Sequence, residues 1–302
     1  MPDGDGVQTE QRCDSGSRWQ QVQAPTIDVD RMNLTEEELE LAREIKAAVE
    51  ATPEIDALSD MMYAQFAIVA VSDEDEPPNV DCLLEKILQL QEVRREHRVL
   101  ETYENGCAML EQMVKGLLPG MYLSFAYNPA NGTHTLVADL ARFNSSVLSN
   151  AGKVNVWIAG YYYMSHSLCP DFQSIRAGVN IVTECDGYDW RNENMFNVNV
   201  LRKWCDFGSC YPQHYASIRH YHVGVFMNLL KTVGKKIVPR LFAKTRTDCE
   251  HDSRLDQLFL VPTLEAANER IVSRMKSELA RRYKNEASFS LDRATAVQSN
   301  PR

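Results

Sequence analysis

Several features of large protein classes are missing from this sequence. It has no apolar run of the roughly 18–20 residues that span a bilayer, and its first dozen residues, MPDGDGVQTEQR, have neither a positive start nor an apolar centre. We therefore expect neither a membrane-spanning helix nor a secretory signal, and a soluble protein of the cytoplasm. The net charge of −10 leaves no overall basic footprint, which argues against nucleic acid as a partner.

The sequence also lacks the common signatures of catalysis and of metal binding. It contains no GxSxG, P-loop, GxGxxG or HExxH pattern, so nothing supplies a nucleophile together with a base. The Asp-Phe-Gly triplet at 206–208 has no glycine-rich loop before it, and we interpret it as chance. Its eight cysteines form no CxxC pair and no zinc spacing. We expect buried thiols, no enzyme activity, no cofactor and no metal.

What is present is the composition of a globular protein. Hydrophobic residues make up 44% of the 302 residues and charged residues 25%, enough for a sizeable core. Residues 1–30 are polar and are predicted to be disordered. Residues 31–118 are predicted to form a small all-helical domain, because apolar residues recur at helical spacing. The four helical patterns run over 33–51, 57–70, 82–100 and 107–118.

Residues 119–285 alternate between strand and helix patterns, which is typical of an α/β domain with parallel strands. Strands are predicted over 121–127, 133–143, 178–187, 215–223 and 242–247, and helices over 154–168, 194–207, 225–238 and 264–283. Asn131-Gly132 between the first two strands is a hairpin turn signal. Residues 169–177 are predicted to be a surface loop. After Lys284 the chain becomes polar, and 286–302 are predicted to form a disordered tail.

The segment 225–238 combines an apolar face with a basic edge. Phe226, Leu229, Leu230, Val233 and Ile237 fall at helical spacing. Four cations with no acid lie in the same segment or just after it: Lys231, Lys235, Lys236 and Arg240. Such a helix could lie at an anionic membrane surface. The same pattern also fits an ordinary core-packed helix with a solvated lysine edge, and periodicity alone leaves both readings open.

The order of these elements resembles the CRAL-TRIO lipid-binding family. The resemblance is carried by the strand from Gly178 to Asp186-Gly187, by Tyr211-Pro212, by His222-Val223 at a strand end and by the apolar helix 225–238 that follows. The opening strand pair adds Gly120, Leu123, Ser124, Tyr127, Gly132, Val137, Asp139 and Phe143. Two departures are the family's Gly-Arg-Pro, which is Gly132-Thr133-His134 here, and its Leu-Pro-x-x-Tyr-Gly-Gly ending, replaced by Leu260-Val-Pro262-Thr and a long helix.

This resemblance implies a mixed sheet of about five strands that floors an apolar pocket, with 225–238 as a gate. The implied function is to bind one hydrophobic lipid (phospholipid, sterol, tocopherol or retinoid) and to transfer it between membranes, as a cytoplasmic protein peripheral at membranes. The expected pocket and gate residues are Tyr122, Phe125, Tyr162, Ile181, Trp190, Val225, Phe226, Leu229, Leu230, Val233 and Ile237. The expected headgroup contacts, which include phosphoinositide contacts, are Lys231, Lys235, Lys236 and Arg240.

Three alternatives remain open from the residues themselves. His220 and His222 share a strand face and could ligate a metal with His214, Cys249 or His251, or they could simply lie at the edge of the core. Asp186 follows a strand, where α/β proteins place ligand chemistry, or it caps a turn. The aromatic residues can line a pocket or fill a core. In that last case the chain would be a lipid-independent protein-interaction module with a core filled by side chains.

Overall fold

The fold is taken from a computed structural model that describes most of the chain. The residues described are 29–73, 77–117, 122–128, 133–139, 151–185, 198–224, 232, 245–247 and 264–296. The predicted disordered segment 1–30 lies outside them except for its last two residues. The predicted gate segment also lies outside, apart from Thr232, as does the boundary predicted at residue 118.

Helices make up the first part of the chain, as their spacing of apolar residues predicts. After a 3-10 turn at Val29–Met32 come α1 (Glu36–Glu50), α2 (Asp60–Val71), α3 (Val80–Glu96) and α4 (Tyr103–Gln112), and a π-helical turn at Met113–Leu117 follows. Polar side chains cap each N-terminus. Thr35 forms a capping box with Glu38, and Ser59, Asn79 and Thr102 accept hydrogen bonds from the first turns of α2, α3 and α4.

The strands β1 (Tyr122–Asn128), β2 (Thr133–Asp139), β3 (Val179–Glu184), β4 (Tyr215–Tyr221) and β5 (Thr245–Thr247) form one sheet in sequence order. β1 pairs antiparallel with β2, as the Asn131-Gly132 signal predicts, and the other pairs are parallel. The substantial parallel part is β2, β3 and β4, because β5 has 3 residues. At the start of β3, Gly178 has φ +75, and a Cβ there would lie 2.5 Å from the His214 ring, so glycine is required.

The later helices are α5 (Ala151–Leu168), α6 (Phe172–Ala177), α7 (Val198–Cys210) and α8 (Leu264–Ser288). α8 packs against α4, α5 and β1, while α3 packs against α7. The predicted apolar stripe of α8 is confirmed for its described side chains, since Ile271, Met275 and Leu279 are buried. Their positions four residues apart place them on one face of the helix.

The predicted fold class is wrong in its proportions and its domain plan. Helices dominate the described residues, and the sheet is a small layer rather than the floor of a separate lipid domain. One continuous core joins the buried residues of α1–α4 with those of α5, α6, the sheet and α8. The helices therefore do not precede the sheet as a domain of their own. Periodicity identified single elements, but it could not show that α8 returns to complete the core of the first helices.

Two local predictions also need correction. Residues 169–177, predicted to be a surface loop, contain α6, whose Phe172 and Ile175 are buried. The polar stretch after residue 285 continues α8 to Ser288 and then packs back on the helices: Leu291 is 0% exposed, and its backbone N–H donates to Asp60 at 2.9 Å. An isolated bridge then pairs Ala296 with Leu34. The predicted tail boundary at 286 is therefore too early.

We expect the substitution Leu291→Ala to lower the free energy of unfolding by about 2–5 kcal/mol, because it removes a fully buried leucine from the core. The matched control is Leu100→Ala, since Leu100 is 63% exposed and should cost far less. Urea unfolding followed by circular dichroism measures both. Equal costs for the two variants would show that the segment after α8 is not part of the core.

Candidate functional site

The two faces of the sheet carry separate apolar clusters. Because side chains alternate along a strand, Leu136 of β2 and Ile181 of β3 face the helices and pack with the main core. Val137, Val182 and Tyr221, which we call the second-face cluster, are 0%, 8% and 5% exposed and form a cluster apart from that core. A sheet with apolar residues on both faces is typical of parallel strands covered on both sides.

Polar side chains meet at the carboxyl ends of β3 and β4. Thr183 and His220 are register partners, and the Thr183 hydroxyl hydrogen-bonds Nδ1 of His220. Nδ1 of His222 lies 2.8 Å and 3.0 Å from the two carboxylate oxygens of Glu184. His222 has φ 48, a left-handed conformation that is uncommon for a residue with a side chain. We call Thr183, Glu184, His220 and His222 the carboxyl-edge cluster, and it lies where open α/β sheets place ligands.

The two histidines at this edge contact different neighbours. Each ring meets an oxygen, from Thr183 for His220 and from Glu184 for His222. In the part of the chain that the structure describes, no group of three His, Cys, Asp or Glu side chains is arranged to hold a metal ion. The other residues considered for this edge, Asp186, Cys249 and His251, lie outside the described residues.

Tyr162, predicted to line the pocket, lies inside the main core. Its ring centroid is 5.5 Å from that of Tyr163, 5.7 Å from that of Tyr211 and 6.3 Å from that of Phe207, all near perpendicular, a favourable aromatic geometry. Its hydroxyl donates to Glu101, and burial raises the pKa of Tyr162 well above its usual range. Aromatic neighbours therefore surround this side chain.

Most of the other predicted site residues are not described. Ile181 is half-buried against the main core. Tyr122 and Phe125 belong to β1, but their side chains lie outside the described part. The remaining predicted pocket, gate and headgroup residues also lie outside it: Trp190, Val225, Phe226, Leu229, Leu230, Val233, Ile237, Lys231, Lys235, Lys236 and Arg240.

A group of buried charges was not predicted from the sequence. Arg281 Nη2 lies 3.2 Å from an oxygen of Asp171 and 3.0 Å from an oxygen of Glu278. Arg31 Nε lies 3.7 Å from the same Asp171 oxygen. With Arg274 and the fully buried His134, these side chains form what we call the arginine cluster. Residues 274, 278 and 281 are at helical spacing, which places these three charged residues on one face of α8. This spacing could have indicated the cluster from the sequence, but the sequence analysis considered only the apolar face of the same helix.

The charged groups of the arginine cluster affect one another's pKa values, because they are largely removed from water. Burial, and then the guanidinium groups of Arg281, Arg274 and Arg31, hold the pKa of His134 well below its usual range. Burial also raises the pKa of Glu278, although Arg281 and Arg274 oppose that shift. Both effects disfavour the charged form of a group removed from water.

A second buried histidine lies in the aromatic part of the core. Nδ1 of His166 is 2.8 Å from the hydroxyl of Tyr211, and both side chains are buried. Burial holds the pKa of His166 well below its usual range, and the nearby charges of Arg282 and Arg94 add to this. His166 is therefore a neutral core residue that joins α5 to the end of α7.

Comparisons with known proteins do not assign the chain to a family. No protein-family model matches it, and no curated protein matches it. None of the helices within the described residues is both long enough and apolar enough to cross a membrane.

Stability should fall as the pH drops below about 6.5, because the pKa values of His97, His134 and His166 are all lowered in the folded protein. Below that pH the unfolded chain binds protons that the folded protein does not. Each such histidine removes up to about 1.4 kcal/mol per pH unit. Glu278 acts in the opposite sense: its raised pKa makes its contribution greatest below about pH 4.5 and lost as the pH rises through the folded pKa.

Urea unfolding at about pH 7.5, 6.5 and 5.5 measures this dependence. The variants His134→Gln and His166→Gln should each reduce the loss of stability between pH 6.5 and 5.5 by about 1 kcal/mol, because an unfolded histidine goes from half to mostly protonated over that range. A wild-type stability that does not change over this range would contradict the assignment of neutral buried histidines.

Proposed function

We propose that the protein binds a single hydrophobic lipid ligand against the second face of its sheet and transfers it between membranes. The observation that supports this is the second-face cluster of Val137, Val182 and Tyr221, which is apolar and separate from the main core. These side chains are already buried, so an acyl chain or a fused-ring lipid would bind here by replacing the contacts that bury them. Its binding would be driven by the removal of its own apolar area from water.

The position of the carboxyl-edge cluster supports the same proposal. His222 ends its strand region immediately before the sequence 225–240, which carries the apolar and basic pattern of a membrane-contacting helix. The ligand would be bound and released without making or breaking a bond. Contact with an anionic membrane would be transient and peripheral, with each of Lys231, Lys235, Lys236 and Arg240 contributing on the order of 1 kcal/mol near the surface.

Organic extraction of the purified protein followed by lipid mass spectrometry tests the binding. We expect one lipid species near one per protein, and a reduction of about tenfold in the variant Val182→Phe, which enlarges a side chain on the second face. Ile181→Phe is the matched control because the neighbouring residue faces the helices instead. Extracts that stay empty after incubation with mixed liposomes, with the fold verified by circular dichroism, would refute lipid binding.

Membrane contact is tested by charge reversal. The variant Lys236→Glu plus Arg240→Glu should reduce sedimentation with anionic liposomes about tenfold or more, because two attractive charges become repulsive. Lys153→Glu plus Lys284→Glu makes the same change in net charge at two exposed lysines elsewhere and should leave sedimentation near wild type. An equal loss in both variants would show that net charge, not this segment, directs the binding.

One observation favours a second candidate, a lipid-independent protein-interaction module. The aromatic residues around Tyr162 fill the main core with side chains, so the pocket residue that the sequence predicts there is engaged by the protein itself. In this case the extract would be empty and liposomes would not load the protein. The lipid extraction therefore separates the two candidates.

A further inference from the structure

The loop between α3 and α4, residues 97–102, carries an exposed apolar surface together with the first residue of α4. Among the described residues, only two large hydrophobic side chains are exposed, Leu100 at 63% and Tyr103 at 37%. They are three residues apart, Leu100 in the loop and Tyr103 at the start of α4. Single apolar residues scattered over a surface are normal. The occurrence of both at one place indicates a contact surface, which we call the α3–α4 surface.

Hydrogen bonds order the backbone that presents Leu100. Its carbonyl accepts from the backbone N–H of Thr102 at 2.7 Å and from the side-chain amide of Asn105 at 3.2 Å. The hydroxyl of Tyr163 donates to the same oxygen. The preceding residue, Val99, is 7% exposed and belongs to the main core. Because this backbone is already ordered, a partner that binds Leu100 pays little further conformational entropy.

The chain enters the loop through a Schellman motif at the end of α3. The Val99 N–H donates to the carbonyl of Arg94 at 2.9 Å, and the Arg98 N–H donates to that of Arg95 at 3.3 Å. Arg98 has φ 55, a left-handed conformation for which glycine is the usual residue. An arginine at this position places an exposed cation two residues before Leu100.

The charges beside the α3–α4 surface are nearly balanced. Glu101 pairs with Arg94 at 2.8 Å. Arg98 and Glu104 are both exposed, and no ion pair joins either of them to another residue in the part of the chain that the structure describes. One free cation and one free acid leave little net charge at this place. A partner is therefore attracted mainly by the apolar side chains.

The size of the surface decides which partner it fits. A specific protein–protein interface buries roughly 1,200–2,000 Å² in total, far more than one leucine and one tyrosine can supply. A bilayer needs only a few such anchors, because a leucine enters the acyl region and a tyrosine prefers the boundary between acyl chains and headgroups. A guanidinium at the end of a long apolar stem can reach the headgroup phosphates above them.

We propose that the α3–α4 surface is a membrane-contact site that inserts Leu100 and Tyr103 into the interfacial layer of a phospholipid bilayer, with Arg98 at the headgroup phosphates. This contact does not rest on a lipid bound at the second face of the sheet. It also differs in kind from the contact proposed for residues 225–240, which depends on anionic lipid. An apolar anchor acts on neutral bilayers as well.

Sedimentation with phosphatidylcholine vesicles, with and without phosphatidylserine, tests this contact. Leu100→Ala should lower the partition coefficient about tenfold on both kinds of vesicle, because it removes the main apolar anchor. Arg98→Gln should lower it about fivefold on the vesicles that contain phosphatidylserine. The matched controls are Leu84→Ala, at a half-buried leucine of α3, and Arg270→Gln, at an exposed arginine of α8. Both should partition as wild type.

Equal partition of the wild type and Leu100→Ala would overturn the proposal, as would a folded wild type that binds neither vesicle. Analytical ultracentrifugation tests the rival occupant: a wild-type dimer that Leu100→Ala converts to a monomer would assign the surface to a second copy and also overturn it. Lipid extraction of Leu100→Ala keeps this result separate from the proposed function. A variant that partitions poorly but retains its bound lipid would support the membrane contact and leave the ligand proposal intact.

Discussion

The fully buried guanidinium of Arg282 holds α8 against α2 and the segment between α5 and α6. Its Nη1 donates to the backbone carbonyl of Cys169 at 2.8 Å, and Nη2 lies 3.2 Å from the sulfur of Met62. One turn further along α8, Asn285 donates to the carbonyl of Pro170 at 2.7 Å. These contacts satisfy backbone carbonyls that water cannot reach, and an unmet carbonyl there would be costly. Docking of α8 therefore determines how α2, α5 and α6 meet.

The charges on the neighbouring face of α8 extend the same constraint to the 3-10 turn at Val29–Met32. Arg281 reaches Asp171, which in turn is paired with Arg31. Buried ion pairs contribute little net stability because desolvation offsets their attraction, but breaking one by removing a partner is strongly destabilising. The cluster thus fixes a geometry more than it adds stability.

The sequence predicts the single elements well. The Asn131-Gly132 turn signal between two apolar segments located β1 and β2, helical spacing located α1–α4 and α8, and apolar and aromatic content located α5. What it could not supply was the way these elements combine. Nothing in the sequence marks Glu278, Arg281 and Arg282 as buried, because charged residues are seldom buried. Their burial arises from partners that are more than a hundred residues distant in sequence, such as Asp171 and Met62.

The same limit applies to the candidate sites. An aromatic residue such as Tyr162 is equally suited to a pocket and to a core. The neighbours that decide between them include Phe207 of α7 and Tyr211 just after it. α6 was missed because six residues are too few for periodicity to register. The apolar second-face cluster was implicit in the alternation of Val137 with Leu136 and of Val182 with Ile181, but only the register between β2 and β3 shows that the two valines form one surface.

The distance along the chain between the partners of α8 also affects how the protein can fold. Arg282 and Met62 are 220 residues apart, and Asp60 and Leu291 are 231 apart. During synthesis, which proceeds from the N-terminus, the first helices emerge long before the helix that completes their core. Until α8 has been made, the apolar surface of these helices is uncovered. Contacts between residues so far apart in sequence also slow folding. The core of this protein can therefore close only after α8 has been synthesised.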